Sequence, residues 1–297
     1  MKANNLYLSQ KQNFWGYIRF LGDRLGYSSK KAGIYTYSAE QIKECLAEYN
    51  LTIDSKTLVQ IIDYINYRKE ILTTFVKPHL MDLKEAEKRY YNLKKELKTQ
   101  ENIYLSPQPM NKQKGDKRKP AFFTCAINLL TENAINQFNS INNSTIKCDY
   151  DPHHLIYLTE DNNPKQIKAT YSRRFDGAIP SLNSPTAIWE IKEYYYTTTF
   201  GSRIADGVYE TQLDGYEIEK TKGFTPTHVF LIDGYSTWWG KGKSYLCRII
   251  DALHMGLINE VIFGKEIYEV WPKKIQEICK AEYNKQKSKI RKADSQY

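Results

Sequence analysis

The chain has 297 residues, 41% of them apolar and 26% charged, proportions that support a core large enough to fold without staples and exclude wholesale disorder. No apolar run reaches the roughly 18 residues of a membrane span, and residues 1–12 lack the apolar centre of a signal peptide, so a cytoplasmic protein with no membrane partner is expected. Forty-three Lys and Arg against 34 Asp and Glu leave a formal charge of +9, a balance that suits a polyanionic partner.

Taken in chain order, Phe14, Ile18 and Leu21 step by four and three, the spacing of one helix face. Ser38 stands three residues before Gln41, a capping-box spacing, ahead of Ile42, Cys45 and Leu46. Asp54 is the N-cap expected for a helix that carries Leu58, Ile61, Ile62 and Ile65 and runs towards Phe75, until Pro78 interrupts it. A charged helix over 82–98 follows, with Leu83, Ala86, Tyr90, Leu93 and Leu97 on one stripe. Residues 1–100 therefore read as a helical module for DNA recognition or dimerisation. Residues 101–120 contain Pro107, Pro109, Gly115 and Pro120 without apolar periodicity, which marks a linker. It is basic, with five bases against Asp116 between positions 112 and 119.

Beyond the linker the texture changes. A helix over 121–138 precedes strand-like runs at 154–158, 167–179 and 186–196. A helix over 203–220, an apolar strand at 227–232, a helix over 243–255, a strand at 260–263 and a basic C-terminal helix complete the chain. The order α, three strands, α, β, α, β predicts an α/β domain over 121–297, with a mixed sheet, helices on both faces and a crossover connection. Five cysteines, Cys45, Cys125, Cys148, Cys247 and Cys279, form no C-x-x-C pair, so neither a disulfide framework nor a zinc ribbon is indicated.

Two segments carry chemistry: Arg173-Arg174-Phe175-Asp176-Gly177 and Ala187-Ile188-Trp189-Glu190-Ile191-Lys192. Residues two apart in a strand share a face, so Glu190 and Lys192 project together while Trp189 and Ile191 point into apolar packing. Asp176 ends the preceding strand, and a turn over 180–185 brings it beside Glu190. Two carboxylates converging at a sheet edge suit a hard, oxygen-loving cation such as Mg2+. A lysine beside them can position water and steady negative charge growing on phosphorus.

This arrangement resembles the PD-(D/E)xK nuclease superfamily over roughly residues 121–265, although Phe175 stands where the motif's name has proline. The resemblance implies a restriction endonuclease-like αβββαβ core, with Asp176, Glu190 and the Ile191 carbonyl as metal ligands and Lys192 serving the water. Gln212-Leu213-Asp214-Gly215-Tyr216 is similar to the Q-x-x-x-Y motif of the RecB-like branch, so Gln212 and Tyr216 are expected to support the site. Arg173, Arg174, Lys117, Arg118 and Lys119 are the expected DNA contacts. The function implied is a type II restriction endonuclease, a homodimer cutting double-stranded DNA with Mg2+ alongside a cognate DNA methyltransferase. A RecB-like repair or structure-specific nuclease and a non-catalytic DNA-binding protein are the alternatives. Lesser candidates are Glu132 as an extra metal carboxylate and Trp238-Trp239 as a base-stacking pair or a packing hinge. His153 and His154, adjacent, are not expected to share a metal.

Overall fold

The start signals in the sequence become real caps. The Ser38 backbone N–H donates to Gln41 Oε1 at 2.9 Å and the Gln41 N–H donates back to Ser38 Oγ, while Asp54 Oδ1 accepts the Thr57 N–H at 2.9 Å. The structure, a computed structural model, describes residues 1–98, 104–113, 117–160, 163–196, 202–221 and 224–294. The expected linker is therefore described only over 104–113 and 117–120; positions 101–103 and 114–116, with Gly115 and Asp116, lie outside the described residues.

The first half comprises α1 (Asn5–Leu8), α2 (Gln12–Arg24), a small hairpin of β1 (Ser28–Ser29) and β2 (Gly33–Ile34), α3 (Ala39–Ala47) and α4 (Ser55–Ile71). Pro78 does not interrupt the helix where the sequence suggests. After α4 the chain stays helical through a π turn, Leu72–Val76, and the short α5 (Lys77–His79), which contains Pro78 and ends where Leu80 becomes extended. Then comes α6 (Leu83–Lys98).

The second half runs α7 (Phe122–Asn142), β3 (Asp149–Tyr150), β4 (Tyr157–Thr159), β5 (Ile167–Thr170), β6 (Gly177–Ile179), β7 (Ala187–Lys192), α8 (Ser202–Lys220), β8 (Thr227–Ile232), α9 (Lys243–His254), β9 (Glu260–Phe263) and α10 (Val270–Asp294). It forms a five-stranded sheet in the order β3-β6-β7-β8-β9. β3, β6 and β7 are antiparallel neighbours, whereas β7, β8 and β9 are parallel. The mixed α/β class expected from the sequence holds.

The membership of the sheet differs from expectation. The run at 154–158 and the first part of 167–179 pair with each other as β4 and β5, a separate hairpin, and β3 takes the place expected for the first strand. The break in 167–179 has a packing cause: Tyr171 and Phe175 turn into a small core with Ile156, Ala178, Ile188 and Ile218 under that hairpin.

Helices cover both faces. On one, Phe122, Phe123 and Ile127 of α7 and Trp271 and Ile275 of α10 pack on Trp189, Val229, Leu231 and Ile262. On the other, Leu246, Ile250 and Leu253 of α9 and Ile204 and Val208 of α8 pack on Phe230, Ile232, Val261 and Phe263. A third core joins α2, α3 and α4 through Phe14, Ile18, Leu21, Ile42, Leu46, Leu58, Ile61 and Ile65. The division at residue 100 does not follow these cores. Tyr27, Ile34, Leu72, Val76 and Leu80 lie in the core beneath α9, and α6 packs Tyr90, Leu93 and Leu97 into the core with α7. Fully burying one such side chain is worth about 1.5–3 kcal/mol, so these contacts bind the first hundred residues to the sheet. The far end of α4 adds a buried ion pair, Arg68 Nη1 lying 3.0 Å from both carboxylate oxygens of Asp251 on α9. No helix among the described residues is long and apolar enough to cross a membrane.

Candidate active site

Alternation along β7 divides its side chains as the sequence predicts. Trp189 enters the core edge-on to Trp271, ring centroids 5.3 Å apart, and its ring lies over Gly177, where an added Cβ would sit 2.1 Å from ring carbons. Glycine is required there for a close approach to the indole. The opposite face carries Glu190 and Lys192 towards α8.

Asp176 sits one residue before β6 rather than ending a strand. Its backbone N–H donates to the Trp189 carbonyl at 3.0 Å, continuing the β6–β7 ladder, and its Oδ2 accepts the Ile191 N–H at 2.6 Å. Phe175, buried in the small core beside it, holds it in place. Asp176 is therefore close enough to Glu190 to feel its charge, as the turn predicts, but on the central strands of the sheet rather than at its edge.

Around Glu190 lies an ion-pair network that sequence reasoning did not assemble. Lys192 Nζ is 2.9 Å from Glu190 Oε2 and 3.2 Å from Glu210 Oε2. Arg173 Nη1 is 2.6 Å from Glu190 Oε1 and 2.7 Å from Asp214 Oδ2, and its Nη2 is 3.2 Å from Glu210 Oε2. Glu210 and Asp214 are four residues apart on α8 and so share one face. That i,i+4 acid pair is the signal that could have found them.

The electrostatics follow from burial and crowding. Burial first, and then the charge of Glu190, pushes the Asp176 carboxyl up to about 7. Burial lifts Asp214 to about 7 in spite of Arg173. For Glu190, burial works against ionisation, but Lys192 and Arg173 outweigh it and hold the carboxyl below the ordinary range. Burial likewise opposes the Lys192 charge, and Glu190 more than compensates, so the ammonium is held.

Two concavities open on Asp176. One of about 300 Å³ is lined by Asp151, Arg173, Arg174, Phe175 and Asp176. The other, of about 210 Å³, lies between segment 107–113, the start of α7, and Asp176, Ile191 and Glu193. Both are large enough for several waters.

The remaining expectations divide. Arg174 is exposed beside the first concavity, and Lys117 and Arg118 are exposed. Lys119 instead pairs with Glu87 at 3.2 Å, and Arg173 is turned onto three carboxylates rather than presented to DNA. Gln212 and Tyr216 do not reach the acids. Gln212 lines a cleft with Arg19, Tyr27, Tyr209 and Arg248, and Tyr216 accepts from Arg19 at 3.0 Å. At about 100° per residue, positions 212 and 216 lie on the stripe of α8 away from 210 and 214. Gly215 between them serves packing, since a Cβ there would come 2.5 Å from the Leu257 carbonyl.

Glu132 accepts the Leu105 and Ser106 N–H groups, both at 2.7 Å, and so anchors the linker. Trp238 is buried with Nε1 donating to Asp233 at 3.0 Å, a packing role. His153 and His154 are exposed in a loop.

As to metals, the donors that converge are carboxylate oxygens, which suit Mg2+ in charge and hardness. Asp214 Oδ1 is buried without a hydrogen-bond partner, and burial pushes two carboxyls, Asp176 and Asp214, up to about 7. Among the described residues no group of three or more His, Cys, Asp or Glu is placed to hold a metal on its own, so water and phosphate oxygens have to complete any such shell.

One family model, described as a domain of unknown function (DUF7687), matches residues 81–278. A second, described as a domain of unknown function (DUF7690), matches residues 1–75. The seam between them falls near α5 and leaves α6 with the second half, as its packing on α7 does. No curated protein and no solved structure matches the chain.

Proposed function

The chain belongs to the DUF7687 family, and for it we propose Mg2+-dependent hydrolysis of phosphodiester bonds in double-stranded DNA, after the manner of the PD-(D/E)xK nucleases that its motif resembles. The observation that carries this reading is the register Gly177↔Trp189 between β6 and β7, which sets the Asp176 carboxylate on the Ile191 amide beside Glu190 and Lys192. The order α7, β3, β6, β7, α8, β8, with three antiparallel strands and then a parallel one, supports a restriction endonuclease-like αβββαβ core.

In this reading Asp176, Glu190 and the Ile191 carbonyl hold the ion. A bound Mg2+ supplies Lewis-acid charge at a phosphate oxygen and lowers the pKa of an attacking water. Lys192, held protonated by Glu190, orients that water and balances charge on the phosphate. In this reading the exposed Arg174 beside the concavity, with the exposed Lys117 and Arg118, meets the DNA backbone. The type II restriction form of the proposal, a homodimer on a palindrome with a cognate methyltransferase, rests on the resemblance. The positions of Gln212 and Tyr216 remove the particular support for the RecB-like branch.

Plasmid incubated with Mg2+ and run on a gel tests the proposal. Discrete bands are expected; a smear points to end or structure resection, and unchanged plasmid to a binding protein. Asp176→Ala and Glu190→Ala should each lower cleavage by about a hundredfold or more while retaining DNA in a mobility shift. Wild-type cutting by either variant overturns the site.

A further inference from the structure

Arg173 is the least ordinary member of the cluster. Nothing in the alternation of β7 calls for it: it comes from the loop before β6, its guanidinium 5.8 Å from the centroid of the Phe175 ring. From there it reaches three carboxylates, Glu190, Asp214 and Glu210, at 2.6, 2.7 and 3.2 Å. Glu190 and Asp214 are only 2% and 1% exposed, and buried carboxylates at such spacing demand a counter-charge. A guanidinium, which does not deprotonate in proteins, supplies that charge permanently and with a fork that several oxygens can share.

The charge count is simple. Asp176, Glu190, Glu210 and Asp214 carry four negative charges when ionised, and Lys192 and Arg173 carry two positive ones. One divalent ion closes the difference. Two-metal sites share a carboxylate between ions about 3.5–4 Å apart. Here Glu190 is the carboxylate both cations touch: Lys192 links it to Glu210, and Arg173 links it to Asp214 and Glu210, while Asp176 bonds the Ile191 amide instead. The group of Asp214 and Glu210 is the one that Arg173 fills.

We propose, building on the nuclease reading, that the Arg173 guanidinium is a resident cation standing where a second divalent ion would otherwise bind, so that the site loads a single Mg2+ on its Asp176 side. Arg173 acts through the carboxylates it touches and is a positioning residue. It fixes Glu190 and keeps Asp214 and Glu210 from recruiting a metal of their own.

The test counts ions on the full-length chain, with Mn2+ as the probe and electron paramagnetic resonance as the readout, free of any measurement of cleavage. Wild type should bind one Mn2+ per chain, with the isolated-ion signal. Arg173→Gln, which removes the charge while keeping much of the bulk, should bind two, with the exchange-coupled signal of neighbouring ions. Arg173→Lys should return the count to one. Two ions on the wild type, or one on a folded Arg173→Gln, overturns the proposal and leaves the nuclease reading standing. No Mn2+ on either folded protein brings down the metal site as well. Should Arg173→Gln fail to fold by circular dichroism, the wild-type and Arg173→Lys counts decide, two ions on either being fatal.

Discussion

Asp176 stays protonated over a pH range in which an exposed aspartate has already ionised, because its native carboxyl titrates near 7 and the ordinary value is 3.8. The sign for stability follows from proton counting. Between those values the native state holds a proton that the unfolded chain has released, so stability falls as pH rises through this window and is fully present only below it. Asp214 acts in the same direction. The melting temperature of the metal-free protein should thus decline from about pH 4 to about pH 7. Asp176→Asn, whose amide oxygen can still accept from Ile191, should decline less and melt higher at the alkaline end, by about 2–4 °C for each kcal/mol relieved. Calorimetry across the range checks this, and equal slopes for the two proteins would mean that the Asp176 charge is not what limits stability. Asp176, Glu190 and Lys192 were legible in the sequence because a strand's two-residue period and one short turn suffice to bring them together. Arg173, Glu210 and Asp214 were not, since their meeting depends on where a loop and a distant helix pack. Gln212 and Tyr216 misled because a motif spacing says nothing of helix phase.

Elements hold one another at their ends. The N-cap residue of α7, Ala121, has no side chain able to cap it, and the cap comes from just past β7: Glu193 accepts the Phe123 and Thr124 N–H groups and the Thr124 hydroxyl. Burial pushes the Glu193 carboxyl up to about 7 despite these bonds. Glu193→Ala should cost about 1–2 kcal/mol in urea unfolding, as loss of a cap does. Glu193→Gln, which keeps an acceptor and sheds a charge that burial disfavours, should be at least as stable as wild type near pH 8. A Gln variant as unstable as the Ala variant would show that the charge itself makes the cap. Of the strands, β8 was plain in the sequence as an unbroken apolar run, the mark of a parallel strand covered on both faces. β3, two residues long, was not, because pairing with neighbours rather than intrinsic propensity makes so short a segment a strand.

The molecule as a whole is knit across its middle. Arg68 and Tyr64 on α4 both bond Asp251 on α9 inside the protein, and removal of one partner from a buried pair leaves the other charge uncompensated. Arg68→Met should therefore lower unfolding free energy by about 3–5 kcal/mol, with a matching apolar replacement of Asp251 recovering much of it. A loss under about 1 kcal/mol would assign the joint to apolar packing alone. The mixed α/β class was readable from composition and periodicity. The shared core was not, because Leu72 and Val76 look like any helix face until their partners from the far half of the chain arrive.

The buried arginine and its aspartate also bear on descent. Residue 68 lies within the part matched by one family and residue 251 within the part matched by the other, so a genetic crossover at the seam between them would separate the two. A front half that brings this arginine to a back half without the acid starts life with an unpaired charge in its interior, and the reverse exchange strands the carboxylate. An exchange at the seam therefore carries the penalty of a buried unpaired charge unless the incoming half brings the matching residue.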